Sequence, residues 1–174
     1  MKRGSKLNKS GQVMGLPFGM IFSIILIVVF IVVAIIVILM FINPNECAIA
    51  DQAQEGMFKQ DLQEAVNNLW SSDGGSFQFN SSLPSKITKV CFLNLEEGAR
   101  GKYSSIYNEL KKYGSGNTFL YPSKQACPGF KSMKIEHINL DKITETNNPS
   151  CVESKGKVSF WLEKDINEAL VKIS

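Results

Sequence analysis

Reactive side chains are few in this chain, and its four cysteines are the most informative of them. Cys47, Cys91, Cys127 and Cys151 all follow a long apolar run. An even number of cysteines on the outer side of a membrane predicts two disulfide bonds, each worth about 2–4 kcal/mol. Spacing does not choose among the three possible pairings. We favour Cys47–Cys91 with Cys127–Cys151, because the second bond would join two proline-flanked loops; a buried free thiol at Cys91 is the alternative.

The acid–base inventory argues against catalysis. His137 is the only histidine, and it lies in a predicted strand. The sequence contains no nucleophile-elbow motif that could supply a serine for it to activate. Glu96, Glu97 and Glu136 could form an acid–base pair only if folding brought them into one cleft, and solvated surface is the interpretation we prefer. No two cysteines have the short spacing of zinc ligands. We therefore predict no enzymatic activity, no cofactor and no metal site.

Modification and recognition are the remaining chemistries. The triplet at residues 80–82 is Asn-Ser-Ser, an N-glycosylation sequon that we place in an outward-facing loop, which makes Asn80 a candidate glycosylation site. A second sequon begins at Asn8, on the predicted inner side, and should remain unmodified. The aromatic residues could line a partner-binding face, although core and amphipathic surface positions are the interpretation we prefer for most of them; they are Trp70, Tyr103, Tyr107, Tyr113, Tyr121 and Trp161.

The apolar run that precedes these residues predicts a membrane helix. Ser23 is the only non-apolar residue among the 22 residues of 21–42. A helix of that length covers about 33 Å, against a hydrocarbon thickness of about 30 Å. We place the transmembrane helix at 15–42 and its outer boundary at Asn43-Pro44-Asn45, where the proline disfavours a continuing helix. A cleaved signal peptide is the rival interpretation, because residues 48–50 have the small-x-small pattern of a cleavage site.

Charge predicts the direction of insertion. Four cations and no acidic residue precede the run, and they are Lys2, Arg3, Lys6 and Lys9. The remaining 15 basic and 16 acidic residues give the outer part a charge of −1. Positive flanks stay in the cytoplasm, so we predict a cytoplasmic tail at 1–14 and an outer domain at 43–174. These features exclude a soluble cytoplasmic enzyme, collagen, a coiled coil and a disordered chain, and the nearly neutral outer part argues against nucleic-acid binding.

Small residues recur every four positions near the start of the run. Gly15, Gly19 and Ser23 would form one stripe on a helix, with Gly11 in the same register before it. Such a stripe allows two helices to approach closely, so these residues are candidate helix-packing positions. The alternative, which we favour, is that the segment is simply a helix start at the membrane interface, with Pro17 near its first turn.

Two resemblances rest on the N-terminal residues. Residues 15–22 (GLPFGMIF), after a short basic tail, resemble the start of uncharacterised archaeal single-pass membrane proteins, which implies topology but no activity. Residues 9–13 (KSGQV), followed by an apolar helix, are similar to archaeal type IV pilin precursors. That resemblance implies cleavage by a membrane peptidase between Gly11 and Gln12, and packing of the apolar helices in a filament core. The chain departs from the pilin pattern in having no acidic residue between Gln12 and Ile42.

The outer part should form one α+β domain. An apolar face that recurs at helical spacing predicts an amphipathic helix ending before residue 71, and its members are Phe58, Leu62, Ala65, Val66 and Leu69. A second short helix is predicted from Tyr103 to the Gly114 cap, inside a strand–helix–strand crossover over 86–121. Strands are predicted at 76–80, 86–95, 118–121, 133–140, 157–163 and 170–173. The fold class is therefore α+β, with the first helix packed on a mostly antiparallel sheet.

These expectations together predict a non-enzymatic, membrane-anchored module for interaction or assembly, located at the cell membrane with its C-terminal domain outside. Its expected partners are the lipid bilayer and other membrane or cell-surface proteins, with self-association as a further possibility. We expect no nucleic-acid partner, and no small-molecule substrate is indicated. A type IV pilin-like filament subunit, cleaved between Gly11 and Gln12, is the alternative.

Overall fold

The structure is a computed structural model that describes residues 15–42 and 47–174. The chain divides into two compact units between Pro44 and Asn45. The predicted basic tail, the Gly11–Gln12 junction and the proline break at 43–45 lie outside the described residues. The described residues contain an N-terminal apolar helix, three further helices and antiparallel sheets. The predicted α+β class is confirmed at that level.

Helix α1 spans Gly15–Ile42 and makes up the described part of the first unit. Its segment Gly19–Ile38 is the one stretch among the described residues that is long and apolar enough to cross a membrane. The large apolar side chains from Met20 to Ile38 are each 41–69% exposed. A contiguous apolar surface of this size is typical of a site of contact with a membrane or with another protein.

Helix α2 spans Ile49–Trp70 and opens the second unit. The predicted apolar face is its buried face, with Phe58, Leu62, Val66 and Leu69 in the core. The helix ends before residue 71, as the turn residues predict. Lys164, which lies on a later strand, caps the C-terminal end of the helix. Its ammonium group donates to the carbonyl oxygens of Trp70, the last helical residue, and of Ser72 just beyond it, both at 2.6 Å.

Two antiparallel sheets follow rather than the single sheet that the sequence suggested. The strands within the described residues are β1 Gly75–Ser82, β2 Lys89–Phe92, β3 Thr118–Tyr121, β4 Ser132–Met133, β5 Ser150–Glu153, β6 Lys157–Lys164 and β7 Lys172–Ile173. Their order is β1-β6-β7 in one sheet and β4-β3-β2-β5 in the other. Helix α2 packs on β1 and β6. Two short helices, α3 at Tyr107–Lys111 and α4 at Leu140–Ile143, complete the unit.

Two predictions about the middle of the chain are wrong. The segment 86–121 is not a parallel crossover, because β2 and β3 pair antiparallel and α3 lies within the connection between them. The predicted strand at 133–140 is a strand only at its first residue, since β4 ends at Met133 and α4 begins at Leu140. The physical reason is local: His137 has a left-handed φ of 64°, and the Asn139 side chain caps α4 by accepting from the Lys142 N–H.

Buried side chains form two clusters. The larger one joins α2 to both sheets and includes Phe58, Phe79, Phe92 and Phe160. Phe58 meets Phe79 edge-on with ring centroids 6.1 Å apart, and Phe79 lies 5.1 Å from Phe160. The smaller cluster lies against β2 and β3 and contains Cys91, Leu93, Tyr107, Leu110 and Phe119. The sequence therefore builds one continuous core from α2 and the strands, with α3 covering a second face of the β2–β3 pair.

The four cysteines form two disulfides, and the pairing that we favoured is wrong. The bonds are Cys47–Cys127, with Cα atoms 5.3 Å apart, and Cys91–Cys151, with Cα atoms 4.0 Å apart. Cys91 and Cys151 are register partners on β2 and β5. Cys151 therefore lies in a strand, not in the loop that we predicted. No free cysteine is found among the described residues, so the alternative of a free Cys91 thiol is also wrong.

Candidate functional site

A shallow cleft lies where the C-terminal end of α2 meets the segment that precedes α4. Trp70, the last residue of α2, stacks on His137 with ring centroids 3.8 Å apart and an angle of 11° between the rings. The indole remains 42% exposed. We call this region the Trp70 cleft; it has a volume of about 520 Å³ and is lined by Gln63, Asn67, Asn68, Trp70, Ser71, Lys134, Glu136 and His137.

Gln63 joins the two walls of the Trp70 cleft. Its amide oxygen accepts from the Glu136 N–H at 2.9 Å, and its amide nitrogen donates to the Glu136 carbonyl oxygen at 3.5 Å. The same nitrogen donates to the Asn67 side-chain oxygen at 2.9 Å. Since these bonds use both ends of the Gln63 amide, Gln63 links the two walls of the cleft, and the neighbouring residues Asn67 and Asn68 are exposed.

Backbone hydrogen bonds to Val171 also hold His137 in its left-handed conformation. The Val171 N–H donates to the His137 carbonyl oxygen at 2.9 Å, and the Asn139 N–H donates to the Val171 carbonyl oxygen at 2.7 Å. A non-glycine residue with positive φ is uncommon and persists where the surrounding contacts determine it. The backbone before His137 is therefore bound to α2, and the backbone after it is bound to the segment that leads into β7.

The charges in the cleft balance. The Lys134 ammonium lies 3.8 Å from the Glu136 carboxylate, and the two side chains are 76% and 61% exposed. An exposed pair of this kind contributes little to stability, about 0–1 kcal/mol. The pair matters for the charge of the cleft, because the positive Lys134 and the negative Glu136 cancel each other.

No match to this chain was found among protein-family models, curated proteins or solved structures. The Trp70 cleft combines an exposed aromatic ring, side-chain amides and an ion pair.

The predicted catalytic candidates are spread over separate contacts. Glu97 bonds to Arg100, and Glu136 pairs with Lys134, so each carboxylate has its own cation. His137 faces the Trp70 ring. Among the described residues, no group of three or more His, Cys, Asp or Glu side chains could hold a metal ion. The sequence singled out His137 and Trp70 separately, but no signal in it connects the two.

Glu55 is a functional candidate that the sequence analysis missed. It lies on the buried face of α2 and is fully buried. One carboxylate oxygen accepts from the Cys127 N–H at 2.8 Å, and the other has no hydrogen-bond partner among the described residues. Burial raises the pKa of Glu55, the Cys127 N–H and Lys86 oppose that rise, and Asp51 adds to it. The sequence signal that could have indicated it is an acidic residue three positions before Phe58, a spacing at which two side chains lie on the same side of a helix.

We expect Glu55→Gln to remove part of the pH dependence of stability. Since the folded chain binds the Glu55 proton more tightly than the unfolded chain, the contribution of Glu55 to the free energy of unfolding is greatest below its ordinary pKa of 4.5 and is lost as the pH rises through the raised pKa. Glutamine does not titrate, so the variant should lose this fall and be more stable than the wild type near pH 7. Urea unfolding followed by circular dichroism between about pH 4 and pH 8 measures the effect.

The matched control for this prediction is Glu64→Gln, which changes an exposed carboxylate on the same helix. Its pH profile should follow that of the wild type. A Glu55→Gln variant that keeps the wild-type slope, or that is less stable near pH 7, contradicts the assignment.

The remaining site predictions concern Asn80 and the small-residue stripe. Asn80 is exposed but lies in strand β1, not in a loop, and its side-chain nitrogen donates to the Gln78 carbonyl oxygen at 3.3 Å. Its glycosylation stays a prediction. Gly15, Gly19 and Ser23 all fall within α1. Apart from its chain neighbours and the backbone of its own helix, a Cβ atom placed on Gly19 would have no described atom within 4 Å, so that face of α1 is sterically open. Its role in helix packing stays a prediction.

Proposed function

We propose that this protein is a membrane-anchored interaction module whose α+β unit lies outside the cytoplasm. The observation that carries the proposal is α1, whose large side chains from Met20 to Ile38 are apolar and exposed. Twenty helical residues cover about 30 Å, which equals the thickness of the hydrocarbon core. In water that surface would be a severe aggregation liability, whereas in lipid it is the favoured state.

The outward direction is supported by two independent features. The segment before α1 carries four cations and no acidic residue, and positively charged flanks remain in the cytoplasm. The second unit contains two disulfides, Cys47–Cys127 and Cys91–Cys151, and disulfides persist in oxidising compartments outside the cytoplasm. Both features favour the same side of the membrane for residues 47–174.

An interaction role is supported by how the polar groups of the second unit are arranged. Glu97 and Glu136 are each engaged with a cation, and the His137 ring lies against Trp70. General acid–base catalysis requires such groups to converge on one substrate atom. The Trp70 cleft instead offers an aromatic surface with amides around it, which suits binding.

Labelling of lysines on intact cells tests the topology. A membrane-impermeant amine reagent should modify exposed lysines of the second unit, such as Lys59, Lys124 and Lys155, before lysis. The tail lysines Lys2 and Lys6 should react only after permeabilisation. Mass spectrometry of the recovered protein identifies the modified sites.

The tail lysines are the internal control, because they belong to the same molecules as the reporter lysines. Labelling of the tail before the second unit would show the reverse orientation. Equal labelling of both parts in sealed cells would show that the chain does not span the membrane.

A pilin-like filament subunit is the second candidate, favoured by the same exposed helix. Copies of α1 could cover one another as lipid does, and the open face at Gly19 would permit close approach. N-terminal sequencing of the mature protein separates the two candidates. A chain that begins at Gln12 supports the filament subunit, and a chain that begins at Met1 or Lys2 contradicts it.

A further inference from the structure

We propose that the Trp70 cleft binds a neutral oligosaccharide. This inference rests on the proposed function, since it names the class of ligand that the interaction module would recognise. Four features of the cleft favour such a ligand, namely its exposed aromatic ring, its unpaired amides, its balanced charge and its rigidity.

The Trp70 ring supplies a flat apolar surface beside polar groups. It is 42% exposed, and His137 lies parallel to it at 3.8 Å. The imidazole therefore covers part of the indole and holds its orientation, while the rest remains accessible. A sugar ring has one face of C–H groups and a rim of hydroxyl groups, so it matches an aromatic ring that has polar neighbours.

Amides and a carboxylate surround that ring. Among the described residues, the Asn68 amide and the Asn67 amide nitrogen have no hydrogen-bond partner, and the Glu136 carboxylate is 61% exposed. An amide presents donors and an acceptor together, and a carboxylate presents acceptors. Sugar hydroxyl groups both donate and accept, so neighbouring hydroxyls can be paired by this set.

The charge balance selects against other ligands. The Lys134 ammonium is neutralised by Glu136 at 3.8 Å, so the cleft lacks the excess positive charge that a phosphate or an acidic sugar requires. A metal ion is not favoured, because the described residues contain no cluster of three or more ligating side chains. The volume of about 520 Å³ lies within the range of about 300–1,000 Å³ that is typical of ligand sites.

The cleft is formed before any ligand arrives. Gln63 binds the backbone of Glu136, and Val171 binds the backbone of His137, so both sides of the left-handed residue are tethered. A site that is already ordered loses less conformational entropy on binding. The positive φ of His137 is the conformational outlier that this tethering maintains, and it brings the imidazole onto Trp70.

Fluorescence of the full chain tests the proposal, because Trp70 and Trp161 are its two tryptophans. Trp161 is 47% exposed, lies on β6 and is not among the residues that line the cleft. In Trp161→Phe the emission comes from Trp70 alone, and in Trp70→Phe it comes from Trp161 alone. The protein is solubilised in an alkyl amine oxide, since a sugar-headed detergent would compete. The probes are maltotriose, chitotriose and sialyllactose.

We expect maltotriose or chitotriose to change the emission of Trp161→Phe and to leave Trp70→Phe unchanged. Asn68→Ala, introduced into Trp161→Phe, should weaken that binding about fivefold, the effect of one lost hydrogen bond. Sialyllactose, which carries a negative charge, should bind more weakly than the better neutral probe. The proposal is overturned if neither neutral probe changes the Trp70 emission at about 10 mM, if only Trp161 responds, or if sialyllactose binds more tightly.

This experiment is independent of the topology experiment. Binding is measured on purified protein, so it can succeed or fail whatever the orientation in the membrane. An outward-facing domain that binds neither neutral probe would leave the proposed function standing and remove the saccharide proposal alone.

Discussion

Replacing Phe58 by alanine is expected to lower the free energy of unfolding of the second unit by about 3–5 kcal/mol. Phe58 is fully buried and lies at the centre of the contact between α2 and the β1–β6 sheet. Its ring meets Phe79 edge-on at 6.1 Å, and Phe79 in turn contacts Phe160. The substitution removes buried apolar surface and leaves a cavity that these rings cannot fully close.

Urea unfolding of the full chain, followed by circular dichroism near neutral pH, measures the loss. The matched control is Phe77→Ala on β1, because Phe77 is a phenylalanine with 36% of its surface exposed. It should cost less than half as much, since burial sets the transfer and cavity energies. Equal losses at Phe58 and Phe77 would show that α2 does not anchor the sheet as described.

Removing the Cys91–Cys151 bond by a double alanine substitution is expected to lower the free energy of unfolding by about 2–4 kcal/mol. The bond closes a segment of the chain with a sequence separation of 60 residues and joins register partners on β2 and β5. Cys91 is also fully buried in the smaller core cluster, so the substitution loses packing against Phe119 and Leu110 in addition to the cross-link. The loss is measured by urea unfolding without reductant.

The matched control is the double alanine substitution of Cys47 and Cys127. The bond that it removes joins residues with a sequence separation of 80. The chain-entropy effect varies only with the logarithm of loop length, so that contribution should be similar in both variants. Cys127 is buried as well, but only Cys91 belongs to a core cluster, so the loss of apolar packing at Cys91 should make its pair the more destabilising. A smaller loss at Cys91–Cys151 than at Cys47–Cys127 would contradict the assigned packing.

Single substitutions test the pairing directly. Cys47→Ala should leave one free thiol, at Cys127; because Cys127 is buried, the chain is unfolded without reductant before thiol labelling, and mass spectrometry identifies the labelled residue. A free thiol at Cys91 in that variant would instead support the pairing that the sequence suggested. Each result distinguishes the two arrangements without requiring that the variant be fully stable.

The spacing of apolar residues predicted those helices and strands whose pattern is contained within the element itself. The apolar face that includes Phe58 and Leu62 recurs with the helical period, because a helix on a sheet buries one side. The strand at Thr118–Tyr121 was predicted with its correct bounds, since its residues have high β-propensity and follow a glycine-containing turn. Alternation failed over 133–140, where the left-handed backbone of His137 breaks the strand.

The amino-acid sequence by itself determined that the chain has a long apolar helix near its start, an α+β unit after it and cysteines available for two bonds. Each of these depends on composition or on spacing over a few residues. Only the tertiary structure decided that Cys91 joins Cys151, that the Glu55 carboxylate is buried beside Cys127, and that Trp70 and His137 share a cleft. Gln63 and Glu136, which hold that cleft together, are 73 residues apart. Contacts over such separations are set by which strands pair and in what register, and short-range periodicity contains no record of that choice.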